Sequence, residues 1–145
     1  MIGEAVVAEA RTWIGTKFVW QGSVKGVGCD CKGLVWGVAR ELGLPEAATF
    51  HAQVADYGVR VPVKLLREGM ATVFDPVAWD DRQPGDVMLL KLRSIPMHLA
   101  ILSGVSEGHE RAIHAQIAPA DVVTEAKLSS LLICHPVDSL WRWRS

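Results

Sequence analysis

The sequence predicts an α+β fold in which N-terminal helices pack on an antiparallel β-sheet. Two features predict it: apolar residues recur at helical spacing early in the chain, and strand-like apolar alternation begins at Asp86. The chain has 145 residues, half of them hydrophobic, with no internal repeat, low-complexity tract or linker. This length and composition suit a single domain, residues 1–145, with a packed core.

Helices are predicted at four places. Residues 2–14 predict the first helix, and residues 31–42 predict a second helix that a glycine and a proline follow. Residues 50–58 and 62–69 predict two shorter helices. The first helix turns one apolar stripe toward the core, formed by Ile2, Val6, Ala10 and Trp13.

The strands are predicted from period-two alternation and from the turn residues between them. A glycine-containing turn, residues 104–108, separates the second strand from the third. The end of the chain, Trp141-Arg142-Trp143-Arg144, is predicted to pack its indoles against the domain, with contact to a partner or a membrane interface as the alternative. The predicted strands are residues 87–92, 98–103, 112–116, 122–126 and 132–137.

The net charge, the apolar segments and the number of cysteines indicate which partners and which redox state to expect. The net charge is −1 and no basic stripe is present, so nucleic-acid binding is not expected. Glu4, Glu9 and Arg11 interrupt any apolar export segment, and no stretch approaches transmembrane length. We therefore expect synthesis in the cytoplasm without a signal peptide, and no stable membrane insertion. Three cysteines are an odd number, which favours reduced thiols over a disulfide framework.

Cys31 is the candidate nucleophile. It stands where a glycine-rich turn passes into a helix, and the free amides and the dipole of a helix start stabilise a thiolate and lower its pKa. The alternative is a buried, inert thiol. Cys29 precedes the helix, so we predict it to be a structural neighbour. Both cysteines could join Cys134 and His135 or His114 in a tetrahedral set, but the paired Cys-x-x-Cys spacing is missing, and we predict no metal and no cofactor.

Two histidines lie on predicted strands. His98 follows the Pro-Gly-Asp turn and the first strand, and it shares a face with Ala100 and Leu102. His114, on the next strand, could bond the far nitrogen of His98 and fix its tautomer, which is the role of a triad's third member. Each could instead be a satisfied core histidine. The remaining histidines are predicted to be surface or loop residues: His51, His109 and His135.

Several segments together resemble the NlpC-type bacterial cell-wall cysteine peptidases, over roughly residues 5–137. The missing export signal and the Lys-Gly-Val-Gly-Cys-Asp-Cys run look most like the branch carried by tailed phages and gene transfer particles. The segments that carry the resemblance are Gly15-Thr16-Lys17-Phe18-Val19-Trp20-Gln21-Gly22, Gly28-Cys29-Asp30-Cys31-Lys32-Gly33-Leu34-Val35, Pro84-Gly85-Asp86-Val87, His98-Leu99-Ala100-Ile101 and Ile113-His114-Ala115.

The resemblance implies a papain-like fold and hydrolysis of amide bonds in peptidoglycan stem peptides, commonly the γ-D-glutamyl bond to a diamino acid. By this mapping Cys31 is the nucleophile, His98 the general base and His114 the orienting residue. The Cys31 amide would help form the oxyanion hole. The predicted substrate-binding or oxyanion residues are Gln21, Asp30 and Lys32, of which Asp30 also shapes the turn into the helix.

Two departures from the family pattern leave alternatives open. Lys32 stands where the family usually has Ser, and Phe18 stands where it often has Tyr. Both favour a second hypothesis, a catalytically weak or inactive tail component that binds wall peptide. A third is an amidase or acyltransferase of the wider papain-like group. The branch implies phage-like tail proteins as partners and action in the cell wall of a target cell.

Overall fold

The computed structural model describes residues 2–44 and 61–144, so the predicted helix over 50–58 and His51 lie outside the described residues. Within those residues the α-helices are α1 (Ile2–Arg11), α2 (Cys31–Glu41), α3 (Val63–Val73) and α4 (Leu128–Cys134), and a 3₁₀ turn covers Trp79–Asp81. The strands are β1 (Ser23–Val24), β2 (Gly28–Cys29), β3 (Phe74–Pro76), β4 (Val87–Leu92), β5 (Ile95–Ser106), β6 (His109–Ala115), β7 (Val123–Lys127) and β8 (Val137–Trp143).

Six of these strands form one antiparallel sheet in the order β3-β8-β4-β5-β6-β7. The short strands β1 and β2 pair with each other just before α2. Three helices, α1 to α3, thus precede the antiparallel sheet and α4 lies between its last two strands in the chain, which confirms the predicted α+β class. No helix of the described residues is long and apolar enough to cross a membrane.

The two faces of the sheet are covered by different helices, because side chains along a strand alternate between faces. On β5, Leu99 and Ile101 join the core that α1, α2 and α3 cover. Ala100 and Leu102 join a second core cluster, against α4. The predicted face of His98 is therefore the face that α4 covers.

The prediction of a strand over 132–137 is wrong. Helix α4 extends to Cys134, and the last strand begins at Val137. The physical reason is the helical spacing of Leu128 and Leu131, which are both buried, whereas Ile133 is 83% exposed. A short apolar run fits either a helix or a strand, and packing on the sheet decides here.

The end of the chain is the core strand β8. Trp141 and Trp143 are only 8% and 6% exposed, which confirms that the indoles pack against their own domain. Trp143 stacks edge-on against Phe74, with ring centroids 4.7 Å apart, and donates a hydrogen bond to the carbonyl of Gly85 at 2.8 Å. These contacts leave neither indole free for a partner.

The Pro-Gly-Asp turn ties β4 to β8. Asp86 is 2% exposed and accepts two hydrogen bonds of 2.9 Å from the guanidinium of Arg142. Gly85 has φ +96°, and a side chain there would collide with Gly3 of α1. The turn thus fixes the first helix and the last strand against the start of β4.

Candidate active site

The start of α2 is built around Asp30, which caps the helix. Its carboxylate accepts hydrogen bonds from the backbone N–H of Gly33 at 2.7 Å and of Gln21 at 2.8 Å. Asp30 is 1% exposed, so its oxygens serve the backbone, which is the predicted role in shaping the turn. Gly33 is needed because a Cβ at this position would collide with the carbonyl oxygen of Gly22. This packing makes Cys31 the first residue of the helix.

Cys31 lies beside residues 97–99 of β5, which precede the pairing of β5 with β6 that begins at Ala100. The Cys31 thiol donates to the carbonyl of Met97 at 3.6 Å, and it accepts a backbone hydrogen bond from Leu99. The side chain is 6% exposed. It borders a cavity of about 10 Å³ lined by Phe18, Trp20, Cys31, Lys32, Leu92, Met97, His98 and Ile117.

Burial raises the pKa of the Cys31 thiol above its ordinary value, and it outweighs the opposing charge of Lys32 and the backbone hydrogen bonds from Leu99 and Lys32. The prediction that the helix start lowers this pKa is therefore wrong for this conformation. The helix amides act in the predicted direction, but the loss of solvent around the sulfur is the larger effect.

His98 and His114 are brought together as predicted. Nε2 of His98 lies 2.9 Å from Nδ1 of His114, and the two rings meet edge to face. Both are buried, and burial is the main cause that lowers the pKa of His98 well below its usual range and that of His114 to about 4. A neutral imidazole carries one N–H, so in this contact one ring donates and the other accepts; when His98 donates from Nε2 to Nδ1 of His114, Nδ1 of His98 is left unprotonated.

His135 lies in the loop between α4 and β8, as predicted, and is half-buried there; it is also a third member of this cluster, which was not predicted. Its ring lies tilted over that of His98, with centroids 4.9 Å apart. The sequence gives no signal for this contact, because the two residues are far apart in the chain and α4 brings them together. A cavity of about 630 Å³ borders all three histidines, and four residues line both this cavity and that of Cys31: Leu92, Met97, His98 and Ile117.

The other predicted substrate-binding or oxyanion residues differ in placement. Lys32 lines the Cys31 cavity, is 8% exposed and forms no ion pair with any other residue of 2–44 and 61–144. Gln21 is exposed, has φ +63° and does not line that cavity. Phe18 does line it, edge-on to Trp20 at 4.8 Å, and offers no hydroxyl.

Neither of the remaining cysteines lines the small cavity beside Cys31, although Cys134 lines the larger cavity of the three histidines. Cys29 is fully buried, and burial, followed by the nearby Asp30 and Cys31, raises its pKa to about 12. Cys134 is exposed beside His135. Across the part of the chain that is described, no group of three or more His, Cys, Asp or Glu side chains is arranged to hold a metal ion.

Helices packed on an antiparallel sheet, with a cysteine at a helix start and a histidine of the sheet lining one small cavity, suit the papain-like class of fold. Solved structures with a similar fold are NlpC/p60 domains. The NlpC/p60 domain of the peptidoglycan hydrolase SagA matches with a TM-score of 0.61 and 22% identity, over 97% of this chain and 98% of that chain. No protein-family model and no curated protein matches the sequence.

Two longer proteins share the same fold. NlpC2 from Trichomonas vaginalis matches with a TM-score of 0.68 and 21% identity, over 99% of this chain and 47% of that chain. A "similar to lipoprotein, NLP/P60 family" protein from Staphylococcus aureus matches with a TM-score of 0.65 and 19% identity, over 99% and 42%. The chain therefore spans less than half of either protein. These likenesses confirm the predicted papain-like, NlpC-type fold.

Proposed function

We propose that this protein is a cysteine endopeptidase that hydrolyses amide bonds in peptidoglycan stem peptides. One observation carries the proposal: the 2.9 Å hydrogen bond between His98 and His114, beside a cavity that His98 shares with Cys31. The fold adds support, since the SagA domain it resembles belongs to a peptidoglycan hydrolase. In this proposal Cys31 is the nucleophile, His98 the general base and His114 the orienting residue.

The hydrogen bonding of His98 fits this chemistry. Nε2 of His98 is engaged by His114, so Nδ1 is the nitrogen left to take the thiol proton. The sulfur attacks the carbonyl carbon, and the new oxyanion is stabilised by the N–H of Cys31, which has no partner within its own helix. His98 then protonates the leaving amine, and water hydrolyses the thioester with His98 again acting as base.

Substrate entry must uncover the thiol. Cys31 is 6% exposed, and the cavity of about 10 Å³ that it shares with His98 has room for about one water molecule. A peptide carbonyl therefore has no space there. Met97 and Ile117 line both this small cavity and the larger one beside His98. Displacing these two side chains joins the cavities into one cleft, and we propose this as the binding step.

The substrate bond we propose is the γ-D-glutamyl bond to a diamino acid. Lys32, which lines the cleft without a carboxylate partner in the described chain, would attract the carboxylate of an acidic stem peptide. Action from a phage-like tail on the wall of a target cell, after synthesis in the cytoplasm, rests on the sequence resemblance alone and stays a prediction.

The test is digestion of purified peptidoglycan, with the released peptides identified by mass spectrometry. The wild-type chain should release stem-peptide fragments with a new amino terminus on the diamino acid. Cys31→Ala should abolish release, and the control variant His109→Gln, which changes an exposed residue at the far end of β6, should retain it. Activity that survives in Cys31→Ala would refute the assignment.

A second candidate is a wall-binding module that does not cleave. The burial of Cys31, its raised pKa and the missing hydroxyl at Phe18 favour it. The pH dependence of Cys31 alkylation, in wild type and in His98→Ala, distinguishes the two. A thiolate reactivity that depends on His98 supports the peptidase. An unchanged profile, together with sedimentation of Cys31→Ala on intact walls and no fragment release by wild type, supports the binding module.

A further inference from the structure

His98 is held on two sides by other histidines. His114 meets its edge, with centroids 5.1 Å apart and ring planes at 86°. His135 covers its face, with centroids 4.9 Å apart and planes at 35°. The hydrogen bond to His114 restrains one nitrogen of the His98 ring. Because terminal ring torsions are broad, the contact on the face adds a second restraint on rotation about the Cβ–Cγ bond.

The backbone of β4 sets the place of His135. Nδ1 of His135 lies 3.2 Å from the carbonyl oxygen of Lys91, and the N–H of Lys91 donates to the carbonyl of Pro136 at 2.8 Å. The pairing register of β4 with β5 shifts between Leu90, which pairs with His98, and Lys91, which pairs with Pro96, so Met97 of β5 is the extra residue of a bulge opposite Lys91. Bulges beside sites of chemistry re-aim neighbouring groups. The N–H of His135 also closes α4 by donating to Leu131 at 2.9 Å.

We infer that His135 is a positioning residue, which holds the ring of His98 so that Nε2 stays directed at His114. Its catalytic consequence rests on the proposed function, because the held ring is the proposed base. The positioning itself is a property of the three rings and of the β5 bulge opposite Lys91.

The charges around His135 give the inference a measurable signature. The carboxylate of Asp138 on β8 is engaged by Arg67, and no acidic side chain of the described residues lines the cavity of the three histidines. A proton on His135 therefore opposes a proton on His98, and the charges of His114, His135 and Lys32 follow burial as causes that lower the pKa of His98. The titratable or charged groups around the ring of His135 are Lys91, Arg93, His98, His114 and Cys134.

The test measures the titration of His98 by imidazole NMR in the full chain carrying Cys31→Ser, so that no thiol is coupled to it. His135→Phe keeps a flat ring over His98 but removes the charge. The midpoint of His98 should rise by on the order of half a pH unit or more. His109→Gln, which removes an exposed histidine from the far end of β6, should leave the midpoint in place.

A second variant separates stacking from charge. His135→Ala removes the ring, so the low-field imidazole proton that bridges His98 and His114 should be lost, whereas His135→Phe should keep it. A midpoint unmoved in His135→Phe, or a bridging proton that persists in His135→Ala, overturns the inference. The predicted NMR changes in a protein that releases no peptidoglycan fragments would uphold the positioning of His98 and count against the proposed peptidase.

Discussion

Replacing His114 by Gln should reduce the amount by which the free energy of unfolding falls as the pH is lowered. Burial lowers the pKa of His114 from 6.5 to about 4, so the folded protein binds fewer protons at this site than the unfolded chain does. The resulting stability is fully present above pH 6.5 and is lost as the pH falls from 6.5 toward 4. For one such group, the free energy of unfolding drops by about 2 kcal/mol between pH 7 and pH 5.

The assay is urea unfolding followed by tryptophan fluorescence at pH 7, 6 and 5. Wild type should lose about 2 kcal/mol more than His114→Gln over this range, and the comparison of slopes removes the cost of the substitution itself. His98, whose pKa His114 also lowers, adds to the difference in the same direction. The control His109→Gln should follow wild type. Equal slopes for wild type and His114→Gln would refute the reasoning.

Three further substitutions test the packing around the site, each by urea unfolding at pH 7. Asp86→Ala should cost about 3 kcal/mol, because it strips Arg142 of a buried partner; a cost below about 1 kcal/mol contradicts this. Gly33→Ala should cost about 3 kcal/mol, since its Cβ collides with the backbone of Gly22, and an unchanged midpoint contradicts that. Trp143→Ala should cost about 3–5 kcal/mol as a core truncation, whereas a free tail would lose nothing.

The central strands and the histidine pair could be predicted from the sequence, because the alternation of apolar and polar side chains along a strand is a local property. Period-two patterning around His98 and around His114 places both side chains on one face, and the antiparallel register then puts Ala100 opposite His114. The 2.9 Å contact between the rings of His98 and His114 follows from this register. The role of Asp30 at the helix start could be predicted in the same way, because its carboxylate accepts from an N–H within one helical turn.

The parts that escaped prediction depend on contacts between distant segments. Helix α4 forms where a short apolar run was predicted to be a strand, because the second face of the sheet needs a cover that only packing reveals. His135 reaches His98 through that helix and through its contact with the carbonyl of Lys91, opposite a bulge in β5, and neither feature carries a sequence signature. The pKa of Cys31 was predicted in the wrong direction, because the helix start is visible in the sequence and the burial of the sulfur is not.

Burial has opposite consequences for the two halves of the proposed site. It keeps His114 neutral, and only the neutral ring can accept from Nε2 of His98, since a protonated His114 would set two N–H groups against each other. It also keeps the Cys31 thiol protonated. A neutral thiol beside a neutral imidazole needs no preformed ion pair, because His98 can take the proton as the sulfur attacks. Such a site gains its nucleophile only when substrate enters, which protects the thiol from water-borne electrophiles in the closed form.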